Sequence, residues 1–161
     1  MASCDDDISR HICAAFSVDS RRSTLQDLRF LIDELVEIAA RALSPGVNDP
    51  FTALTCLDWL AAGMSDISQR DMPSHLRVDD EGALRLIAHP VNFETLVDRS
   101  FGALAQYCAS DMVAGLRYVR ALGEVALECD EADRIVTIGI YADRFDKLAG
   151  DALNGFNRTR V

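Results

Sequence analysis

Five side chains between Arg41 and Thr52 have types that could do chemistry together: a cation (Arg41), a hydroxyl (Ser44), a carboxamide (Asn48), a carboxylate (Asp49) and a second hydroxyl (Thr52). Such a set could hold a small polar molecule, with the guanidinium pairing an acidic group and the short polar side chains fixing its orientation. The residues between them also give each a local duty. Pro45 disfavours the α conformation at Ser44, and Gly46 is free to take a positive φ, so a helix should stop near Leu43. Asp49-Pro50 then offers an N-cap followed by proline at the first helical position, and Thr52 sits where it can share in satisfying the helix start. Asn48 tolerates turn geometry. Arg41 falls in the last turn of the preceding helix, where the macrodipole favours a cation, and could meet Asp49 across the corner. An anion bound at the new helix start is disfavoured, because Pro50 removes a donor and Asp49 already supplies negative charge.

No other segment offers a stronger constellation. Ser44 is not in a G-x-S-x-G elbow, no H-E-x-x-H or phosphate loop occurs, and His11, His75 and His89 fall in unrelated segments. Asp49 and Asp58 stand about 13 Å apart along one helix, too far for a shared cation. Cys4, His11 and Cys13 match no zinc spacing and lack a fourth ligand. No residue is assigned to catalysis or to a metal, and no cofactor is implied.

The elements that must position the corner are helical. Ile8, Ile12 and Phe16 recur every four residues behind Asp5, Asp6 and Asp7, giving a first helix over 4–16. Ser23-Thr-Leu-Gln26 has the form of a capping box, so a second helix is expected over 24–43, with Leu28, Leu31, Ile32, Leu35, Ile38, Ala39, Ala42 and Leu43 inward. A third over 50–70 uses Leu54, Leu57, Trp59, Leu60, Ala61, Met64 and Ile67. From 75 to 88 the period changes to two around Asp79-Asp-Glu-Gly82, which reads as a β-hairpin whose Leu/Val face must rest on helices or pair with another chain. Three more helices are expected over 93–149. Asn92 and Asp111 cap the first two. The second of them uses Leu116, Val119, Leu122 and Val125, and the last starts in the acidic stretch Asp130 to Asp133 and buries Ile135, Val136, Ile138, Ile140, Ala142, Phe145 and Leu148. Residues 154–161 read as a frayed tail. The expected fold is mainly α, one compact bundle of five or six helices over 1–161 with a single β-hairpin insertion.

Composition narrows the partners. Of 161 residues, 49% are apolar and 26% charged, ordinary values for a globular chain, and the net charge of −10 repels nucleic acid. Five cysteines, odd in number and without a C-x-x-C pair, point to reduced thiols. No run approaches the roughly 20 apolar residues that cross a bilayer, and the N-terminus lacks the features of a secretory signal, so the chain itself is expected to be soluble.

The stretch Arg41-Ala-Leu-Ser-Pro-Gly-Val-Asn-Asp-Pro-Phe-Thr-Ala53 resembles the signature R-A-L-S-P-G-x-N-D-P-x-T-A of a family of predicted bacterial membrane proteins of unknown function. Arg22, Gln26 and Asp27 upstream, and Phe93, Leu96, Phe101, Gln106 and Tyr107 downstream, follow the same family pattern, with Ser23 in place of threonine and Ala105 in place of arginine. The resemblance covers about Asp5 to Gly150. It implies a soluble domain that in the family follows transmembrane helices, so that membrane contact runs only through an N-terminal transmembrane region absent from these residues; the reduced thiols then favour the cytoplasmic side of the inner membrane. The expected role is assembly or regulation through protein contacts, self-association or a protein partner. The alternative is small-molecule binding or catalysis at the Arg41, Ser44, Asn48, Asp49 and Thr52 corner.

Overall fold

The computed structural model describes residues 6–15 and 27–158. Its elements are α1 (Asp6–Ala14), α2 (Leu28–Ala42), α3 (Pro50–Ser68), β1 (Leu76–Val78), β2 (Leu84–Ile87), α4 (Phe93–Val97), α5 (Ala103–Cys108), α6 (Met112–Glu128) and α7 (Ala132–Arg158). A π-helical turn, Asp98–Gly102, joins α4 to α5 in one continuous rod. The fold is mainly α with one two-stranded antiparallel hairpin.

Local rules place most helix starts. Asp49, Asn92 and Asp111 each accept the amide three residues on, from Thr52, Thr95 and Ala114. The second helix departs from expectation: the capping box at Ser23 and Gln26 lies outside the described residues, and the cap in place is Asp27, whose carboxylate accepts the Arg29 amide at 3.1 Å. The C-terminal segment read as a frayed tail is helical as far as Arg158.

The core forms where α3 crosses α6. Ala53, Cys56, Leu57, Leu60, Ala61 and Met64 of α3 meet Ala114, Tyr118, Ala121, Leu122 and Val125 of α6, all buried. Alanines at these positions let the two backbones approach. Tyr118 meets Phe101 edge-on (5.7 Å between centroids), stacks on Phe145 (4.3 Å) and donates its hydroxyl to the Phe101 carbonyl at 3.0 Å. Burial pushes that hydroxyl's pKa well above the ordinary tyrosine value, so it remains a donor.

Arg134 is the charged side chain taken into this interior. Its Nη1 donates to the carbonyls of Ser68 (2.8 Å), Arg70 (2.9 Å) and Ile67 (3.3 Å), its Nη2 donates to Glu131 (2.7 Å), and its guanidinium lies 5.4 Å above the Phe93 ring. One side chain thus closes the C-terminus of α3 and joins it to α4 and α7.

Several apolar residues assigned to the core lie outside it. Trp59 is 66% exposed, and Leu28, Leu31, Ile38, Leu116, Val119, Ile135, Val136, Ile140 and Leu148 are exposed too. Each occurs at helical spacing, but the face that packs is set by neighbours: α7 buries Ile138 and Phe145 as expected, and with them Arg134 and Tyr141 rather than Ile135, Val136, Ile140 and Leu148. The hairpin likewise is not buried against the described helices, since every residue of both strands is exposed. Its turn is held locally, with Asp79 accepting the Ala83 and Glu81 amides and the Arg85 Nε, and Gly82 taking a φ of +83° that other residues rarely adopt.

Arg134→Ala should lower stability by about 3 kcal/mol, a loss of roughly 6–12 °C in Tm for a chain of this size. Arg134→Lys should recover only part of it, because an ammonium lacks the planar fork and the flat face over Phe93. Thermal unfolding followed by circular dichroism measures both.

Candidate functional site

The corner between α2 and α3 is built almost wholly from its own hydrogen bonds. The Ser44 carbonyl accepts the amides of Asn48 (2.9 Å) and Val47 (3.1 Å), and the Asp49 amide returns to the Ala42 carbonyl at 2.8 Å. Asn48, with φ +48°, takes the left-handed conformation expected of Gly46, which lacks a positive φ. An asparagine side chain tolerates that region better than most. Asp49 spends both carboxylate oxygens on one residue: Oδ1 accepts the Thr52 amide at 3.3 Å and Oδ2 accepts the Thr52 hydroxyl at 2.6 Å. Those two bonds hold the Asp49 pKa below the ordinary carboxylate value.

Arg41 does not meet Asp49. It points back along its own helix to Glu37, one turn away, and is largely exposed. Of the five candidate residues, the structure therefore brings Asp49 and Thr52 into contact, uses Ser44 and Asn48 through their backbones, and directs Arg41 elsewhere. Asp58 is also engaged, paired with Arg117 of α6, which reaches on to Glu124 at 3.0 Å. His11, His75 and His89 are exposed, on α1 and beside the hairpin. Among the described residues no group of three His, Cys, Asp or Glu converges as metal ligands; Cys4 lies outside them.

A second arrangement escaped sequence reasoning. A groove of about 740 Å³ runs between α2 and the π-helical turn, lined by Asp33, Glu37, Asp98, Arg99, Gln106 and Tyr107 among others. Arg99 holds Asp33 in a two-pronged ion pair (2.6 and 2.9 Å), which raises the arginine's pKa further. Tyr141 donates to Asp98 at 2.9 Å, and burial, then this bond, push its pKa up to about 12. The turn needs Gly102, where a Cβ would come within 2.8 Å of the Asp98 carboxylate and 3.0 Å of the Tyr141 ring. The groove thus presents the closed Asp33–Arg99 ion pair and two further carboxylates, Glu37, which pairs with Arg41, and Asp98, which accepts the Tyr141 hydroxyl. Gln106 and Tyr107 fall in the stretch whose resemblance is noted above; Asp33 and Arg99, 66 residues apart, gave no signal.

A family model described as "Predicted membrane protein (DUF2254)" matches residues 1–124. The chain belongs to this family. Uncharacterized proteins of Mycobacterium bovis and Mycobacterium tuberculosis are 30% identical to it over 129 residues, which is 80% of this chain and 24% of each relative. The chain thus spans about a quarter of the length of these relatives. No solved structure matches it. The family match covers the corner, the groove and most of α6, while α7 lies beyond it. Among the described residues, no helix is long and apolar enough to cross a membrane.

Asp49→Ala should cost about 1 kcal/mol at neutral pH, and Asn48→Gly should be tolerated. Because the folded-state pKa of Asp49 is lowered, its contribution is present above the unfolded pKa of about 4 and fades as pH falls through the folded value. Urea unfolding of the chain and the Asp49→Ala variant should therefore show a stability gap that narrows below about pH 4.

Proposed function

We propose that the chain is an extramembrane docking domain of this membrane-protein family, acting in assembly or regulation through protein contacts and without chemistry of its own. The observation that carries this is ordered apolar surface outside the core. Scattered exposed apolar residues are normal, whereas contiguous ones mark interaction sites. On the hairpin, the register pairs Leu76 with Ile87 and then, after a bulge, Val78 with Leu84. The bulge turns Leu84 to the side of the other three, so that four exposed apolar side chains share one face of a sheet too small to be stable alone. On α6, a second apolar stripe runs along the side away from the core.

The charge of −10 favours a protein partner over nucleic acid or an anionic leaflet. The free thiols of Cys13, Cys56, Cys108 and Cys129 support a cytoplasmic placement. In this scheme Arg41, Ser44, Asn48, Asp49 and Thr52 serve the fold. A second possibility, a small polar ligand in the groove beside Asp33 and Arg99, is favoured by the π-helical turn, since such turns concentrate at functional sites.

Placing a photo-crosslinking amino acid at Leu84, at Leu116 and, as a control, at Glu37 of the protein in its own cells tests the docking role. Discrete protein adducts are expected from the first two and not the third. Absence of adducts from both apolar surfaces would overturn it.

A further inference from the structure

We propose that α1 folds onto the groove between α2 and α3 and covers Trp59, a contact separate from the hairpin and α6 surfaces. Among the described helices α1 alone contributes nothing to the core. With nine residues it is also shorter than the roughly 12–15 that hold a helix in water without tertiary contacts, so a helix here needs cover. Ile8 and Ile12 are 54% and 52% exposed. At 100° per residue they fall, with Ala15, within about 60° of one another, while Arg10 takes the opposite side. A short helix with one apolar stripe is the form that a groove between two helices accepts.

Such a groove lies open beside it. A cleft of about 560 Å³ forms where α2 begins and α3 ends, and through Leu28, Gly63 and Ile67 it continues into an apolar slot that Leu31, Leu35 and Trp59 also line. Among the described residues, none of α1 lines either. Trp59 stands 66% exposed at the slot. Nothing lies within 4 Å of where a Cβ on Gly63 would be, so a second backbone can come close there. The row Leu28, Leu31 and Leu35 runs about 10 Å along α2, and the stripe from Ile8 to Ala15 runs about the same length.

The tether selects α1 as the occupant. From Ala14 the chain passes through 13 residues, at most about 43 Å when extended, and enters α2 at Leu28, which itself lines the groove. The stripe is thereby held beside the groove at an effective concentration of about a millimolar, which no untethered partner of ordinary abundance meets. Closure brings both isoleucines and the indole out of water together and leaves Arg10 on the outer side. α1 is then a latch, and Trp59 is offered to anything else only when it lifts.

Trp59 is the single tryptophan of the chain, so its fluorescence reads the groove directly. Acrylamide should quench it about two-fold more in the Ile8→Asp/Ile12→Asp variant than in the purified chain, with emission moved to longer wavelength, because the ring returns to water. Both isoleucines lie outside the core, so the variant should keep the cooperative thermal unfolding of the chain. The shielding should be equal at about 1 and 100 µM, as a tethered contact requires. With Cys4 and Cys13 replaced by serine, Ile12→Cys and Leu31→Cys together should form a disulfide within one chain, since docking brings the two positions within reach of that bond. Equal quenching in the chain and the aspartate variant would overturn the proposal. So would a disulfide formed only between chains or shielding lost on dilution, either of which gives the groove to a second copy, and so would shielding that appears only with phosphatidylcholine vesicles, which gives it to lipid.

Discussion

The last turn of α3 would end in carbonyls pointing into protein rather than water, and Arg134 is what answers them. A buried carbonyl without a donor costs of order 1–3 kcal/mol, and three here face one guanidinium nitrogen. The charge this brings inside is offset by Glu131 and by the face of Phe93. Position therefore matters as much as energy: α7 can dock only where its first turn delivers that side chain to the end of α3. Phe93, the first residue of α4, is fixed by the same group. Three helices distant in sequence share one contact, and the crossing of α3 on α6 is enclosed by it.

The π-helical turn is the second constraint. There the Ala103 amide reaches back five residues to the Asp98 carbonyl, leaving the local ladder out of step. Side chains make up the difference: the Ser100 hydroxyl donates to the Leu96 carbonyl at 2.7 Å, and the Tyr118 hydroxyl donates to that of Phe101. The widened turn also presents Asp98 to Tyr141 and Arg99 to Asp33, so the groove beside α2 follows from how the rod is wound. There Asp33 and Arg99 close on one another, as Asp49 and Thr52 do at the α2–α3 corner.

Among the described residues one buried side-chain nitrogen, Arg117 Nη1, lacks a partner, and two apolar surfaces stay in water. The hairpin face and the outer stripe of α6 leave leucines, valines and an isoleucine exposed in ordered rows. The proposed docking role rests on these two surfaces.

Sequence alone determined what is governed by neighbours along the chain. The caps at Asp49, Asn92 and Asp111, the stop after Leu43, the proline start of α3, the turn at Asp79 to Gly82 and the mainly helical class all follow from backbone sterics and from donors within four residues. Family membership was legible in the segment around the corner. Only the tertiary structure decided which face of each helix is inside. Periodicity marks a stripe without saying what covers it, and α6 bears two, so Leu116 and Val119 were indistinguishable from Leu122 and Val125. The same limit hid the distant partners of Arg99, Arg117 and Arg134, 59 to 67 residues away, because a long side chain's choice among carboxylates and carbonyls is set by where other helices end in space.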